Sequence, residues 1–288
     1  MHSTASDGDF FPKEIVDIAV EKKIKTISIT DHDSLDALDR AISYAKDKKI
    51  EFITGIEISC CEKEIGYDEV HILGYFINHK SRALRNFVAK IQKTRLKQKK
   101  DMIQKLRKFG FALTFKEIQE LAKSSIGRVH IAKRLLKKYP SEFSSIRDVF
   151  NRYIGLGKPA YVPRENVTRV IEAVDAIKKS GGIAILAHPG AYSREDSKQL
   201  IEYFIECSGD GIEGYYPYNK VYGSTNRYSS ELNRFFRGYA KKKKLLITGG
   251  SDFHGIIRDC QIGEMKIPVA VVNNLKKYLF SNKQPSAK

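Results

Sequence analysis

The 288-residue sequence predicts an α/β fold, in which a parallel sheet or barrel is interrupted by an all-helical segment. Short apolar runs alternate with helical patterns in both halves of the chain, as they do in repeated β-α units. Between residues 80 and 159 only the helical periodicity is left. We therefore expect residues 1–79 and 160–288 to form one domain, and residues 80–159 to form an inserted helical subdomain.

The segment before the insert predicts two helices and three strands. The helices cover residues 13–22 and 34–48, where apolar side chains recur every three or four positions. The strands cover residues 26–30, 51–58 and 71–77, which are apolar runs of strand length. The parallel sheet is inferred from the alternation of these elements.

Four helices are predicted within the insert, and the first of them is strongly basic. Residues 82–108 contain eleven lysines and arginines but a single acid, Asp101. A helix of this charge attracts polyanions, although a solvated surface helix can carry the same pattern. The other three helices cover residues 115–123, 128–138 and 145–154.

The β-α order resumes after the insert. Helices are predicted at residues 168–180, 196–207 and 225–242, and strands at residues 183–187, 211–215 and 245–248. A sheet or barrel assembled from both halves would bring the carboxyl ends of its parallel strands to one face.

The composition is typical of a soluble globular protein. No run approaches the ~18 apolar residues that a membrane span needs, and the first residues lack the charged and apolar regions of a signal peptide. We therefore expect a cytoplasmic protein without a membrane partner, and nothing in the sequence implies a protein partner. The four cysteines form no CxxC motif and are expected to be free buried thiols. The formal net charge of +17 favours polyanionic partners.

Metal-ligating side chains stand at the ends of predicted strands or in short glycine- and serine-rich stretches. A lone histidine is more often a core residue, and Asp31 could cap the next helix, but so many placements at one face favour a shared site. Imidazole together with carboxylate suits manganese, zinc or iron and does not single out one of them. The sequence thus predicts a hydrolase with several metal ions, whose candidate ligands are His2, Asp31, His32, Glu57, His71, His188, Asp252 and His254.

Nine motifs, taken in their order along the chain, resemble one known family. They are HSTASDG, SITDHD, GIE, VHILGYF, GRVHIA, GKPAYVP, LAHPG, GIEGYYP and TGGSDFHG. Together they resemble the PHP (polymerase and histidinol phosphatase) superfamily, from Met1 to about Gly263. Within it they are most similar to the stand-alone 3',5'-nucleotide bisphosphate phosphatases and RNA 5'-end exonucleases, a branch also called RNase AM.

The resemblance implies a distorted (β/α)7 TIM-like barrel, whose first strand is largely missing from this chain, and a helical insert that covers the active site. It also implies three divalent metal ions, with manganese favoured and zinc or iron as alternatives. The implied ligands are His2, Glu57 and Asp252 for the first ion, Asp7, His32 and His254 for the second, and Glu57, His71 and His188 for the third.

The chain departs from the family motif at its first residues. The motif reads Asp-x-His-x-His-Ser, whereas this chain begins Met1-His2-Ser3, so that the first ion is short of one ligand. Our hypothesis is that Met1 stands between the two histidines and that the natural protein carries the Asp-x-His ahead of it. An intact mass of the native protein equal to 32.8 kDa would contradict this hypothesis.

The insert and its neighbouring loops supply candidate substrate contacts. Arg95 and Lys99 lie four residues apart on one face of the basic helix, and arginine offers a fork that matches phosphate oxygens. By resemblance, Arg128, His130 and Lys158 contact substrate phosphates. Tyrosines near predicted loop ends could stack on a base but more often only pack, and these are Tyr161, Tyr215, Tyr216 and Tyr218.

The expected function is hydrolysis of a nucleotide phosphomonoester, such as a 3',5'-nucleoside bisphosphate, or of the 5' end of short RNA. Closely spaced divalent ions activate water for attack on phosphorus and neutralise the developing charge. We assign catalytic roles to His254, Asp252 and His188, and leave open which histidine protonates the leaving oxygen. The alternatives are a small-molecule phosphatase of the histidinol-phosphate type and a non-catalytic module that binds nucleic acid.

Overall fold

The computed structural model describes residues 1–122, 125–165, 167–222, 224–256 and 258–283. Its strands are β1 (Thr26–Ile27), β2 (Glu51–Phe52), β3 (Gly55–Glu62), β4 (Tyr67–Tyr75), β5 (Ile183–Leu186), β6 (Gly211–Tyr215) and β7 (Leu246–Gly249). Its α-helices are α1 (Pro12–Glu21), α2 (Leu38–Asp47), α3 (Arg82–Lys108), α4 (Phe115–Gln119), α5 (Arg128–Lys138), α6 (Ile146–Val149), α7 (Val170–Lys179), α8 (Arg194–Glu206), α9 (Tyr218–Tyr222), α10 (Asn226–Lys243) and α11 (Val269–Lys283). Single turns of other helical types are Lys63–Ile65, Phe150–Ile154 and Pro189–Ala191.

The fold is α/β, with a central five-stranded sheet in the order β3-β4-β5-β6-β7. The strands β5, β6 and β7 run parallel, as the β-α order predicts. The strands β1 and β2 form a separate parallel pair. An isolated parallel bridge between His32 and Glu57 connects this pair to the central sheet, and it brings two candidate ligands side by side.

The prediction of an all-parallel sheet is wrong at β4, which runs antiparallel to both of its neighbours. Only residues 63–66 connect β3 to β4, and a parallel crossover needs a dozen residues or more. Gly66 ends this connection at φ 89, a left-handed conformation that a residue without a Cβ adopts freely. The two strands therefore form a hairpin.

Some predicted boundaries are also wrong. The helix expected over residues 34–48 begins at Leu38 and ends at Asp47. Before it the chain turns at Asp33, which adopts φ 49 and accepts a hydrogen bond from Ser59 N at 2.8 Å. The helix expected over residues 115–123 ends at Gln119, and Lys123 lies outside the described residues. The predictions for residues 128–138 and 211–215 are confirmed without a shift.

Two separate hydrophobic clusters lie on either side of the middle of α3. Its first half packs through Leu84 and Val88 into the core that also contains α7, α8 and the central sheet. Its second half packs through Met102 and Leu106 into a cluster formed only by residues between 96 and 162. The 27-residue helix therefore joins the two packed regions. All four cysteines are free and buried, as predicted.

A cavity of about 440 Å³ lies between β1 and β7, beneath the candidate ligands. The residues that line this cavity include Ile27, Thr248, Val272 and Leu275, together with the candidate ligand Glu57. Within the described part of the chain, β1 and β7 form no strand pair. Over the same residues, no helix combines the length and the apolar content that crossing a bilayer requires.

Candidate metal centre

The loop over residues 1–9 is fixed by a buried carboxylate. Asp31 accepts hydrogen bonds from Ser3 N at 2.7 Å, from Ser3 Oγ at 2.6 Å and from Ser6 Oγ at 2.6 Å. His2 N donates to Phe253 O at 2.9 Å. Asp31 is therefore occupied in holding this loop, and its suggested roles as a metal ligand and as a helix cap are both wrong. By holding the loop, Asp31 keeps His2 and Asp7 next to the other candidate ligands.

Glu57 stands at the centre of the cluster, and its two carboxylate oxygens face different partners. Its Oε1 lies 2.8 Å from His71 Nδ1 and 3.3 Å from His188 Nε2. Its Oε2 lies 3.0 Å from His2 Nε2. Glu57 was expected near the end of a strand, but it lies inside β3, which continues to Glu62 and past the ligands as part of the hairpin.

The side chains assemble into three groups whose donor atoms lie within 4.8 Å of one another. Each pair of groups shares one residue, since His2, His32 and Glu57 each belong to two of them. His188 adds to this arrangement, because its Nε2 is 3.1 Å from His71 Nδ1. The groups are His2, Asp7, His32 and His254; His32, Glu57 and His71; and His2, Glu57 and Asp252.

The chemistry of these donors fits divalent cations. Buried polar atoms normally have hydrogen-bond partners, yet five of the eight predicted ligands carry one that has no partner among the described residues. These orphaned atoms are both ring nitrogens of His2, Asp7 Oδ1, His32 Nδ1, His188 Nδ1 and His254 Nε2. Imidazole nitrogens and carboxylate oxygens gathered this closely, several of them lacking a hydrogen-bond partner, are placed as ligands of a borderline cation would be.

The acidities of the buried groups support the same interpretation. Burial alone would lower the pKa of His2, but the carboxylates of Asp252 and Glu57 outweigh it and raise this pKa to about 9. Burial lowers the pKa of the neighbouring His32 to about 3. The three buried carboxylates of the donor groups, Asp7, Glu57 and Asp252, thus favour a positive charge within the cluster. A divalent cation would supply that charge while leaving the imidazoles neutral.

One carboxylate oxygen of Asp252 is held by neighbouring side chains, and the other faces His2. Its Oδ1 lies 3.1 Å from His2 Nε2, whereas its Oδ2 accepts a hydrogen bond from Tyr216 Oη at 2.7 Å and contacts Arg258. Asp252 itself has φ 48, so the turn that carries it is strained for a non-glycine residue. Tyr216 and Arg258 therefore fix the free oxygen of Asp252 toward His2.

His254 is oriented by a bond to the backbone. Its Nδ1 lies 2.7 Å from Asp252 O, and because a carbonyl can only accept, this nitrogen carries the proton. The lone pair of Nε2 therefore points to Asp7 Oδ1, 3.4 Å away. This tautomer suits a metal ligand, since a metal-bound histidine usually donates a hydrogen bond from its other ring nitrogen to a fixed acceptor.

Glu213 was not singled out from the sequence, although it places a predicted ligand. Its Oε2 accepts a hydrogen bond at 2.8 Å from the backbone nitrogen of His188, which adopts φ 29. The residue is only 5% exposed in the middle of β6. An acid within the apolar run Gly211–Tyr215 resembles Glu57 within its own run, and that similarity was the available signal.

We expect Glu213→Leu to weaken metal binding by about ten- to a hundredfold, the usual effect of losing a group that supports a ligand. Without the acceptor, His188 loses the bond that holds its unfavourable backbone conformation. Glu213→Gln is the matched control, because its amide oxygen can still accept from His188 N. Isothermal titration with Mn²⁺ measures both variants, and equal affinity for the Glu213→Leu variant and the wild-type protein would contradict the positioning role.

A basic pocket of about 240 Å³ opens beside the cluster. Asp7, His32 and His71 form part of its wall, and so do Arg95, Lys99, Arg128 and Arg164. Lys99 is only 3% exposed and donates to Gln98 Oε1 at 2.6 Å. Burial and then the cations Arg95, Arg128 and Arg164 hold the pKa of Lys99 well below its usual value. An anion in this pocket would relieve that repulsion.

The predicted substrate contacts are not equally placed. Arg95 contacts Asp33 and lies 3.0 Å from Ser59 Oγ. Arg128 donates to both oxygens of Glu69, at 2.7 and 2.9 Å, and lies between the rings of Phe150 and Tyr161.

Two other predicted contacts lie away from the pocket wall. His130 is buried, and its Nδ1 accepts a hydrogen bond from Gly127 N at 2.9 Å. Lys158 is exposed on its loop and does not line the pocket.

The tyrosines divide in the same way. Tyr216 and Tyr218 are each 1% exposed and pack in the core, so the suggestion that they stack on a base is wrong. Tyr161 lines the basic pocket and stays a candidate. Arg164 and Arg258 also line it and were missed, because no motif marks an arginine whose partners are distant in sequence.

The model of the PHP domain family matches residues 1–161. The chain belongs to the PHP domain family. The resemblance inferred from its motifs is thereby confirmed. The 5'-3' exoribonuclease Rnm of Escherichia coli is 32% identical to this PHP domain protein over 258 residues, which cover 88% of this chain and 83% of that protein.

Two further comparisons concern Chromobacterium violaceum. Its 3',5'-nucleoside bisphosphate phosphatase is 31% identical over 257 residues, covering 88% of this PHP domain chain and 85% of that protein. A solved structure of an amidohydrolase from the same organism, with bound sulfate and no metal, has a TM-score of 0.80 and 29% identity. It covers 96% of this chain and 94% of that chain.

Proposed function

We propose that this protein is a metal-dependent phosphoesterase that hydrolyses the phosphomonoester of a nucleotide, such as a 3',5'-nucleoside bisphosphate, and the 5' end of short RNA. The observation that carries the proposal is that the three donor groups lie beside the basic pocket and contribute residues to its wall. The Escherichia coli and Chromobacterium violaceum relatives, which are named for these two activities, support it.

We propose three divalent ions, with manganese favoured over zinc and iron. His2, Glu57 and Asp252 would hold the first, Asp7, His32 and His254 the second, and Glu57, His71 and His188 the third. Bound divalent cations would supply an activated water and neutralise charge that develops on the phosphoryl oxygens. The mixed set of imidazoles and carboxylates, rather than an all-oxygen set, supports ions of this type over magnesium.

The protein's own contribution is to position and to neutralise. Arg95, Lys99 and Arg128 face the pocket beside the donor groups. A phosphate bound there would replace Glu69 as the partner of Arg128, and it would accept from Arg95 Nε, which has no hydrogen-bond partner among the described residues. Arg95 would thereby keep its contact with the buried Asp33. Of the catalytic residues inferred from the sequence, Asp252 and His188 would act as ligands, and so would His254, given its tautomer.

We also propose that residues 80–159 act as a substrate-binding subdomain on a distorted (β/α)7 TIM-like barrel, which residues 1–79 and 160–288 form with most of the first strand missing. The separate hydrophobic cluster between residues 96 and 162 supports the division. The basic pocket lies where the two parts meet, since α3 and α5 line one side of it and the hairpin β3–β4 lines the other. Lys158 keeps a possible role only if its loop moves toward the pocket on binding.

A hydrolysis panel tests the proposal, in which released phosphate is measured for the nucleotide and histidinol phosphate, and released mononucleotide is measured for the RNA. The protein, loaded with Mn²⁺, is assayed against adenosine 3',5'-bisphosphate, histidinol phosphate and a short 5'-phosphorylated RNA. We expect turnover of the nucleotide and of the RNA, and turnover of histidinol phosphate at least about a hundredfold lower in kcat/KM, because its one phosphate is accompanied by a positively charged amino group that the basic pocket would repel. Preferred hydrolysis of histidinol phosphate would contradict the assignment of a nucleotide substrate. If no substrate is hydrolysed at full metal occupancy, the result would favour a non-catalytic module that binds nucleic acid.

A further inference from the structure

The exposed face of α3 carries a continuous row of cations that the proposed chemistry does not use. These residues, called here the α3 stripe, are Arg82, Arg85, Lys90, Lys93, Lys97, Lys100, Arg107 and Lys108, and all of them are exposed. At 100° per residue they fall within an arc of about 140° around the helix. At 1.5 Å per residue the stripe is about 39 Å long. Arg95 and Lys99 lie outside this arc and face the basic pocket instead.

The stripe is poorly neutralised. Among the residues that the structure describes, only Lys97 forms ion pairs, with Glu165 at 2.7 Å and with Asp101 at 3.7 Å. Lys100 lies over the ring of Phe115, and Arg107 donates to Leu113 O. Cations spaced along one face without carboxylate partners create a positive potential that favours a linear polyanion.

A groove connects the stripe to the basic pocket. It has a volume of about 690 Å³ and runs between α3 and the segment before α7, with Lys90, Lys93 and Lys97 on its rim. It shares Gln98 and Pro163 with the basic pocket, so the two spaces adjoin. Three carboxylates on the groove wall balance its own lysines, and these are Asp101, Glu165 and Glu172. The net attraction therefore comes from the stripe beyond the groove.

The stripe does not have the composition of a membrane-binding helix. Such a helix presents large apolar side chains beside its cations, and no large hydrophobic residue of α3 is exposed. Its long face, on which the large exposed side chains are all polar, instead suits a flexible chain of phosphates. A single-stranded nucleic acid offers one charge per nucleotide and can turn from the pocket into the groove.

We propose that the groove and the α3 stripe bind the sugar-phosphate backbone of a single-stranded RNA whose 5' end occupies the metal centre. The inference rests on the proposed function, because that function places the 5' end. According to this proposal, the stripe makes the protein prefer longer strands. A mononucleotide fills only the basic pocket, whereas a longer strand gains contacts along α3. The protein would then bind longer 5'-phosphorylated strands more tightly than short ones.

The test compares two triple variants of the full chain. The stripe variant is Arg82→Gln, Arg85→Gln, Lys100→Gln, whose side chains lie beyond the groove and form no ion pair among the described residues. The control is Lys241→Gln, Lys242→Gln, Lys244→Gln, which removes the same charge at exposed positions just before β7, at the strand end opposite Asp252. Substrates are a 5'-phosphorylated oligoadenylate of about ten nucleotides and adenosine 3',5'-bisphosphate.

We expect the stripe variant to raise KM for the oligoadenylate by about tenfold and to leave KM for the bisphosphate unchanged. The slope of log Kd against log salt for the oligoadenylate, measured by fluorescence anisotropy with chelator present, should fall by about 2, which is about 0.7 for each lost cation. The control should match the wild type in each measurement.

The inference is overturned if the stripe variant binds the oligoadenylate like the wild type, or if the control weakens binding equally, which would show a general charge effect. An equal rise of both KM values would place the stripe in the first-nucleotide site instead. If the wild type turns over neither substrate, the proposed function fails by itself, and the anisotropy measurement still decides whether the stripe binds RNA.

Discussion

Glu57→Gln should leave a folded protein with almost no metal and almost no activity. The substitution keeps the size of the side chain but removes the charge that faces His2, His71 and His188. Burial alone would raise the pKa of Glu57, but His32 and the three histidines that its oxygens face hold it well below its usual value, so wild-type Glu57 is ionised. An amide there supplies one weak acceptor in place of two anionic oxygens.

We expect a loss of at least about 10³ in kcat/KM, which corresponds to about 4 kcal/mol of transition-state stabilisation. Elemental analysis should show metal content falling in parallel, and circular dichroism should stay unchanged. Glu64→Gln on the same hairpin, at an 80% exposed side chain, is the control and should behave as the wild type. Full metal content with activity within tenfold of wild type would show that Glu57 is not the centre of the site.

Arg95→Met should destabilise the protein by about 3 to 5 kcal/mol, the usual cost of leaving a buried charge without its partner. Asp33 is completely buried, and its carboxylate contacts Arg95, whose side chain is 12% exposed. Burial alone would raise the pKa of Asp33, but Arg95 and then Arg164 hold it below its usual value. Urea denaturation at neutral pH, with the metal content fixed, measures the loss.

The double variant Asp33→Asn, Arg95→Met separates stability from substrate binding. It removes both charges, so most of the lost stability should return. If Arg95 also contacts substrate phosphate, activity should stay low in the double variant although the fold is restored. A double variant as unstable as Arg95→Met would show that the ion pair is not the cause, and full activity in it would exclude Arg95 as a substrate contact.

The sequence predicted the candidate ligands better than it predicted the strands that carry them. His188 follows β5 and Asp252 follows β7, where the rule for carboxyl ends of parallel strands places functional groups. His71 does not follow this rule, since it lies in the middle of the reversed strand β4. It was found because histidine stands out within an apolar run, and not because the topology was right.

What the sequence could not supply are the contacts between distant side chains. Asp31 has the same apolar-strand context as His32, and only the positions of Ser3 and Ser6 show that its oxygens are already occupied. Arg258 lacks any motif, yet it contacts Asp252 and lines the pocket. Local patterns identify which residues are chemically able to act, whereas the partner of each side chain depends on packing.

The three donor groups form a closed ring, since each one shares a member with both of the others. Filling one group orients a side chain that the next requires, so uptake should be cooperative and removal by a chelator should be steep, with few partly loaded molecules. A cell that limits its supply of the cation would then hold a mixture of fully active and fully inactive copies. Total activity would report the fraction of loaded molecules, and each loaded molecule would work at its full rate.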